Sequence, residues 1–113
     1  MTKNPLVFIE HILENITDIE SFVKGIKKED FLKNKEKQNA VIRSLEIIGE
    51  AVKNLPNNLT TKYSKVPWKE ITGTRDKIIH HYFMVDLDIV WSIVKEDISK
   101  LKREILKIRE DLK

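Results

Sequence analysis

The sequence predicts an all-α fold, an antiparallel bundle of four to five helices formed by residues 1–113 as a single helical domain. Only three Gly and three Pro interrupt the 113 residues, too few for the many turns of an all-β protein. Lys, Glu, Ile and Leu are abundant and favour long helices. Apolar residues also recur at steps of three and four, the period of a helix that packs against a core.

The first half of the chain carries two long helical patterns. Asn4 is a capping residue followed by Pro5 at the first helical position, and Gly25 ends this helix. Its apolar stripe is Leu6, Ile9, Leu13, Ile16, Ile19 and Val23. The second pattern ends at Pro56. Its apolar residues are Phe31, Leu32, Val41, Leu45, Ile48, Val52 and Leu55. Gly49 lies within it, where only the close approach of a neighbouring helix would offset a cost of about 1 kcal/mol relative to Ala.

The second half of the chain is predicted to hold shorter pieces and one more long helix. Residues 57–66 form a connection with one short helical turn, and a short helix begins at Trp68. Thr74 is predicted to cap a third helix over residues 75–82, and Asp86 to cap the fourth. The stripe of the fourth helix is Ile89, Ile93, Ile98, Leu101, Ile105, Ile108 and Leu112.

Composition limits the classes of function. Lys and Arg total 21 against 18 Asp and Glu, which gives a formal charge of +3 and a pI of about 9.1. The charges alternate along amphipathic segments and favour a solvated helix surface, although a local patch could attract a phosphate backbone. Cysteine is absent, which excludes disulfides and thiolate metal sites. No apolar run approaches the ~20 residues of a membrane span, so we expect a soluble, cytoplasmic protein.

The apolar pattern also bears on assembly. On the first and last predicted helices, apolar residues occupy more than one stripe. A second buried face predicts a homodimer, and a single wide stripe facing the core is the alternative explanation.

The chemically reactive side chains cluster at Arg75, His80, His81 and Tyr82. A guanidinium matches phosphate oxygens, an imidazole titrates near neutral pH, and a phenol can donate to a non-bridging oxygen. On RNA, such a set would let the ribose 2′-OH attack its own phosphate and leave a 2′,3′-cyclic phosphate without a metal. The alternative interpretation is that the cluster is structural.

The predicted helix complicates this site. On one straight helix Arg75 and His80 lie about 140° apart, so one copy of the motif would not bring them together. Either Arg75 reaches along the first turn, or a second subunit completes the site across a two-fold axis. Asp76 lies four residues before His80 and either orients its imidazole or forms a surface pair. His81 either shares proton transfer or packs as a bystander.

Three further residues outside the motif are considered for a role in RNA binding or catalysis. Trp68 and Trp91 could stack on bases, but their helical positions favour core or interface anchors. His11 is interpreted as a surface or interface residue of the first helix.

Three blocks of sequence resemble the HepT-like family of HEPN-domain toxins. The first is Arg-Ser-Leu-Glu-Ile-Ile-Gly-Glu-Ala at 43–51, and the second is Trp-Lys-Glu-Ile-Thr-Gly at 68–73. The third is Arg75-x4-His80-x-Tyr82. The blocks occur in the right order, and the likeness covers nearly the whole chain.

The resemblance implies a dimeric helical bundle that acts as the toxin of a type VII-like toxin–antitoxin system. It would be an endoribonuclease that needs no metal and no other cofactor, with Arg75 and His80 as catalytic residues and Tyr82 as a motif residue that positions the substrate. Its partners would be RNA, a second copy of the chain and a minimal nucleotidyltransferase antitoxin. The antitoxin would transfer AMP to Tyr82, whose added bulk and negative charge would exclude RNA.

Two other classes of function stay open at this point. The chain could be a non-catalytic substrate- or nucleotide-binding subunit of a nucleotidyltransferase complex. It could also be a plain helical oligomerisation module, in which the motif is surface decoration.

Overall fold

Helices make up most of the part of the chain that the computed structural model describes, residues 4–80 and 84–113, with His80 described by its backbone alone. The helices are α1 (Pro5–Val23), α2 (Lys28–Lys33), α3 (Lys35–Lys53), α4 (Asn57–Lys62), α5 (Trp68–Thr72), α6 (Thr74–Ile78), α7 (Leu87–Ser92) and α8 (Ile98–Leu112), and a π-helical segment, Ile93–Asp97, joins α7 to α8. The strands β1 (Ile79–His80) and β2 (Met84–Val85) pair in antiparallel fashion. The all-α prediction is confirmed, with these two short strands as the exception.

The predicted ends of the first helix are confirmed. Asn4 Oδ1 accepts a hydrogen bond from the Leu6 N–H at 3.0 Å, and Pro5 is the first helical residue. Gly25 follows the helix with a φ of +74°, a conformation that costs glycine little. The next predicted helix is divided, because Asn34 ends α2 and its side chain accepts from the Lys37 N–H to cap α3. Divisions of this kind produce more helical segments than the four to five predicted.

The core lies along α1, which packs against both α3 and α8. Residues with 2% exposure or less include Ile9, Ile12, Ile16, Ile19, Val41, Ile48, Ile105 and Ile108, all at positions that the periodicity selects except Ile12. The outer faces are charged, and Lys102 Nζ lies 2.9 Å from Glu20 Oε1 across α1 and α8. Among the described ranges, no helix combines the length and the apolar character needed to cross a lipid bilayer.

The π-helical segment explains an irregular step in the last apolar stripe. Ile93 and Ile98 are five residues apart, and in an α-helix that step would turn them about 140° away from each other. In the structure the Ile98 N–H donates to the Ile93 carbonyl, and both side chains are buried. The extra residue in this turn therefore keeps the stripe of α7 and the stripe of α8 on the same core.

The predicted helix over residues 75–82 is wrong beyond Ile78. The Ile78 carbonyl accepts from the Asp86 N–H at 2.7 Å, and Ile79 pairs with Val85 as β1 meets β2. Ile78 and Ile79 are both β-branched, a side-chain type that favours extended backbone over helix. Thr74 does not cap α6 with its side chain, because its hydroxyl donates to the Glu70 carbonyl. The predicted cap at Asp86 is confirmed, since its carboxylate accepts from the Ile89 N–H at 3.1 Å.

One side-chain contact ties the connection after α4 to the end of α8. The Tyr63 hydroxyl donates to Asp111 Oδ2 at 2.6 Å. This hydrogen bond, then partial burial, then the negative charge of Asp111 raise the pKa of Tyr63 above its ordinary value of 10.0. Because the neutral phenol is the favoured form, the tie is complete below the ordinary pKa and is lost as pH rises through the raised pKa.

This contact predicts a pH titration that depends on Asp111. We expect Asp111→Asn to move the pKa of Tyr63 back towards its ordinary value, since the carboxylate acceptor and its charge are both removed. Tyrosinate absorbance against pH, with Tyr63→Phe identifying the signal of this residue, measures the shift. Identical titration curves for the wild-type protein and Asp111→Asn would contradict the prediction.

Candidate functional site

The backbones of α3 and α5 approach closely at Gly49. A Cβ atom at this position would lie 3.3 Å from the Ile71 carbonyl oxygen and 3.9 Å from Thr72 Cα. The first distance is shorter than an ordinary van der Waals contact with a backbone atom. The prediction that Gly49 marks the close approach of a neighbouring helix is confirmed, and this contact positions α5 and the following α6 on α3.

Substitutions at Gly49 therefore test how closely α5 and α6 pack against α3. We expect Gly49→Leu to lower the free energy of unfolding by about 1–3 kcal/mol, because the side chain must displace the backbone of α5. Gly49→Ala should cost less, since its Cβ needs a small shift and Ala recovers about 1 kcal/mol of helix propensity. Urea denaturation of the three proteins measures both effects, and Gly49→Leu with wild-type stability would refute the close approach.

A cleft of about 470 Å³ opens between α3 and the pair α5–α6. Its walls are polar on both sides. The lining includes Arg43, Glu46, Gly49, Glu50 and Lys53 from α3, and Thr72, Thr74, Arg75 and Asp76 from the opposite wall. Residues of the first two blocks and Arg75 of the third, which are separate along the chain, therefore line one cleft. We name this space the Arg75 cleft.

Arg75 is the exposed cation on the α6 wall of the Arg75 cleft. Within the described part of the chain its guanidinium makes no hydrogen bond and no ion pair. Lys53 differs, because its ammonium lies 3.3 Å from Glu50 Oε1. A guanidinium with unused donors in a cleft of this size is available to bind an anion such as phosphate through two parallel hydrogen bonds.

Two side chains of the Arg75 cleft were missed as candidates in the sequence. Arg43 and Glu46 line the α3 wall, and neither has a partner among the described residues. A signal was available, because Arg43, Glu46, Glu50 and Lys53 follow one another at helical steps on the face that also carries Gly49. Arg43 adds a second unpaired guanidinium to the cleft, and Glu46 adds a hydrogen-bond acceptor.

Of the other predicted site residues, one lines the Arg75 cleft and three have side chains outside the described part of the chain. Asp76 lines the Arg75 cleft, but α6 ends two residues later, so the expected helical i,i+4 relation between Asp76 and His80 is wrong. His80 is the last residue of β1, and its side chain lies outside the described part. His81 and Tyr82 also lie outside the described residues. The 140° separation of Arg75 and His80 loses its basis, since the two do not share a helix.

Comparison with known families assigns the chain. The sequence model of the family described as "Ribonuclease HepT-like" matches residues 12–108. This range includes both walls of the Arg75 cleft and both strands. The chain belongs to the ribonuclease HepT-like family.

Curated relatives carry related names. A protein of Thermococcus cleftensis named "Probable ribonuclease HepT" is 50% identical over 97% of this chain and 100% of its own length. A "Putative RNase" of Caldanaerobacter subterraneus subsp. tengcongensis is 49% identical over 94% of this chain and 95% of its own length. The "Gamma-glutamylcyclotransferase and putative RNase" of Methanocaldococcus jannaschii is 51% identical over 99% of this chain, which spans only 50% of that protein. No solved structure gives a significant match.

In this member of the ribonuclease HepT-like family, both tryptophans act as anchors. The Trp68 indole N–H donates to the carbonyls of Thr60 and Tyr63 at 3.1 and 3.0 Å, and so binds carbonyls at the end of α4. Trp91 packs on Phe31, with ring centroids 5.2 Å apart. The interpretation of both residues as anchors is confirmed. His11 is exposed on α1, with its ring edge-on to Phe8, and it does not line the Arg75 cleft.

The carboxylates of the ribonuclease HepT-like chain are spread along its helices. Among the residues that the structure describes, no group of three His, Asp or Glu side chains is arranged to hold a metal ion. The metal requirement of any reaction is measured directly by activity in the presence of a chelator.

Proposed function

We propose that this ribonuclease HepT-like protein is a metal-independent endoribonuclease with its active site at the Arg75 cleft. The observation that carries the proposal is the guanidinium of Arg75, which lines a polar cleft without a partner among the described residues. The names of the curated relatives as ribonucleases support RNA as the substrate. RNA supplies the two groups that such a site needs, a phosphate to bind and a neighbouring 2′-OH to attack it.

In the proposed reaction the 2′-oxygen forms a bond to phosphorus, and the bond from phosphorus to the 5′-oxygen breaks. One group accepts the 2′-OH proton and another donates a proton to the leaving 5′-oxygen, so the products are a 2′,3′-cyclic phosphate and a 5′-OH. Arg75 stabilises the charge on the non-bridging oxygens. His80 serves as acid or base, and Tyr82 positions the phosphate. Asp76 and His81 are supporting residues in this proposal.

The test is cleavage of a single-stranded RNA by purified protein in EDTA. We expect cutting within the strand and products that end in 2′,3′-cyclic phosphate and 5′-OH. Cleavage that EDTA abolishes and Mg²⁺ restores would overturn the metal-independent reaction. Binding of RNA or nucleotide without cleavage would instead favour the non-catalytic subunit of a nucleotidyltransferase complex.

The proposal extends to regulation as part of a toxin–antitoxin pair. A minimal nucleotidyltransferase antitoxin transfers AMP from ATP to the Tyr82 hydroxyl, with release of pyrophosphate, and the adduct places negative charge where the RNA phosphate binds. Peptide mass spectrometry after co-expression with such an antitoxin should show one adenylyl group on the peptide that contains Tyr82. Unmodified peptide together with full inhibition would contradict this form of control.

We also propose that the active unit is a homodimer. Support for this proposal comes from the family resemblance. The separation of Arg75 and His80 on one helix no longer supports it, because the two residues do not share a helix. Two copies facing each other would let Arg75 of one protomer and His80 of its partner act on one phosphate.

A further inference from the structure

A second cleft, of about 390 Å³, adjoins the Arg75 cleft. Leu45, Ile71 and Thr74 line both spaces, so they are neighbours across the pair α5–α6. The far wall of the second cleft is formed by the π-helical segment and the first turns of α8. We name this space the π cleft. It lies outside the motif and outside the site proposed above.

The lining of the π cleft combines apolar and cationic side chains. Ile48, Val66, Ile93 and Ile98 are buried residues that present an apolar surface to it. Four exposed cations surround this surface, and within the described ranges none of them makes a hydrogen bond or an ion pair. They are Lys65, Lys77, Lys100 and Arg103.

The acidic side chains of the π cleft do not neutralise these cations. Glu70, Asp97 and Glu104 also line the space. Glu104 lies 3.5 Å from Lys107, a cation outside the lining, and the other two carboxylates form no ion pair with described residues. Four cations therefore stand against two unpaired carboxylates, a balance that favours a ligand with several negative charges.

The π-helical segment contributes directly to this cleft. Ile93 and Asp97 belong to the segment, and Ile98 follows it. In a regular α-helix the five-residue step would turn Ile93 and Ile98 about 140° apart, and they would not line one surface. Segments of this type occur frequently at functional sites. The irregular turn thus builds the wall of the π cleft as well as completing the core.

Helix α6 separates the two clefts and presents a cation to each. At about 100° per residue, Arg75 and Lys77 point to nearly opposite sides of this helix. Accordingly, Arg75 lines the Arg75 cleft and Lys77 lines the π cleft. A polyanion that crosses α6 would meet a cation on both sides.

From this arrangement we infer that the π cleft is an RNA subsite that holds a nucleotide next to the one whose phosphate binds at Arg75. The inference rests on the proposed function, because it takes RNA as the substrate. The base lies on the apolar surface, and the flanking phosphates contact Lys77, Lys100 and Arg103. Glu70 and Asp97 supply carboxylates that can accept hydrogen bonds from base N–H or ribose hydroxyl groups.

The experiment measures binding, so that it does not depend on cleavage. The probe is a short fluorescein-labelled oligouridine in which every ribose is 2′-O-methylated, because it lacks the attacking hydroxyl. Fluorescence anisotropy over a series of NaCl concentrations gives the Kd and its salt dependence. The test variant is Lys100→Ala with Arg103→Ala. The matched control is Lys24→Ala with Lys33→Ala, which removes the same charge from exposed positions outside both clefts.

We expect the test variant to bind about five- to thirtyfold more weakly at low salt. The slope of log K against log salt should fall by about 1.4, which corresponds to two phosphate contacts at about 0.7 each. The control should bind as the wild-type protein does. Equal binding by the test variant and wild type overturns the subsite. That result is expected if the cleft binds a protein partner and not RNA. Equal losses in both double variants also overturn it, because the attraction is then a general effect of charge.

The two proposals fail in different ways. If wild type binds the probe and the test variant does not, but natural RNA is never cut, the proposed enzyme activity fails and the subsite stands. If wild type cuts RNA and the test variant binds the probe normally, the subsite fails and the enzyme stands. Wild type that does not bind the probe at all overturns the subsite, whatever the cleavage assay shows. Circular dichroism melting confirms that each variant is folded.

The contribution of the base is measured with a second probe. An abasic strand of the same length keeps the phosphates and loses the surface that packs on Ile93 and Ile98. We expect wild type to bind it more weakly than oligouridine. In Leu101→Ala, which enlarges the apolar part of the π cleft, the difference between the two probes should shrink. Equal affinities of wild type for both probes would overturn the base-holding role.

Discussion

Arg75→Ala is expected to lower kcat for RNA cleavage by about 100- to 1,000-fold, the usual cost of removing one donor to developing negative charge. The thermal stability should stay near that of wild type, because the guanidinium is exposed and makes no hydrogen bond or ion pair with described residues that the substitution would remove. A large loss of activity in a folded protein is the signature of a side chain that acts on the substrate. Single-turnover cleavage and a circular dichroism melt measure the two quantities.

Arg75→Lys refines this prediction. Lysine retains the charge but lacks the planar pair of donors, so most of the loss should persist if the phosphate is bound through two parallel hydrogen bonds. The matched control is Lys69→Ala, which removes one positive charge from neighbouring α5 and lines neither cleft. A wild-type cleavage rate in Arg75→Ala, or equal losses of rate in Arg75→Ala and Lys69→Ala, would contradict the assignment of Arg75 to the active site.

His80→Ala is expected to lower the cleavage rate by about two to four orders of magnitude, the range for loss of a general acid or base. His80 ends β1, and its backbone pairs with Met84. Because this pairing uses main-chain groups, the substitution should leave the pairing of β1 with β2 in place. The matched control is His11→Ala, an exposed imidazole on α1 that lines neither cleft. Cleavage that persists in His80→Ala would exclude the catalytic assignment.

The same pair of variants tests whether the site is shared between protomers. In a mixed dimer of Arg75→Ala and His80→Ala chains, one shared site would contain an intact Arg75 and an intact His80. Mixing the two inactive proteins should therefore restore activity. Mixed dimers, identified by mass, that stay inactive would show that each site is complete within one chain, and the catalytic roles of both residues would be unaffected.

The candidate site was only partly predictable. Arg75 and Asp76 were identified by residue type, and both line the cleft. Arg43 and Glu46 were not identified, because their relevance comes from the packing of α3 against α5 and α6. The one local sign of that packing was Gly49, whose position inside a helix has a cost unless another backbone approaches it. A glycine reveals that a neighbour is close without revealing which segment it is.

The π cleft was not predictable from the residue pattern. The five-residue step between Ile93 and Ile98 was visible in the stripe, but no motif marks it. Its four cations come from three separate parts of the chain, the connection after α4, α6 and α8, so no local motif joins them. Only the fold brings them around one apolar surface.

Local sequence determined the long helices of this protein. The periodic apolar stripes select one buried face, and Asn4, Gly25, Pro56 and Asp86 act within a few residues of themselves, so caps and breaks can be recognised without a fold. The end of α6 was decided by tertiary structure. The Ile78 carbonyl accepts from the Asp86 N–H, beside the pairing of β1 with β2, instead of from a residue within its own helix. A hydrogen bond between two paired segments cannot be recognised from the helix propensity of either one, and here it coincides with the point where the motif leaves the helix.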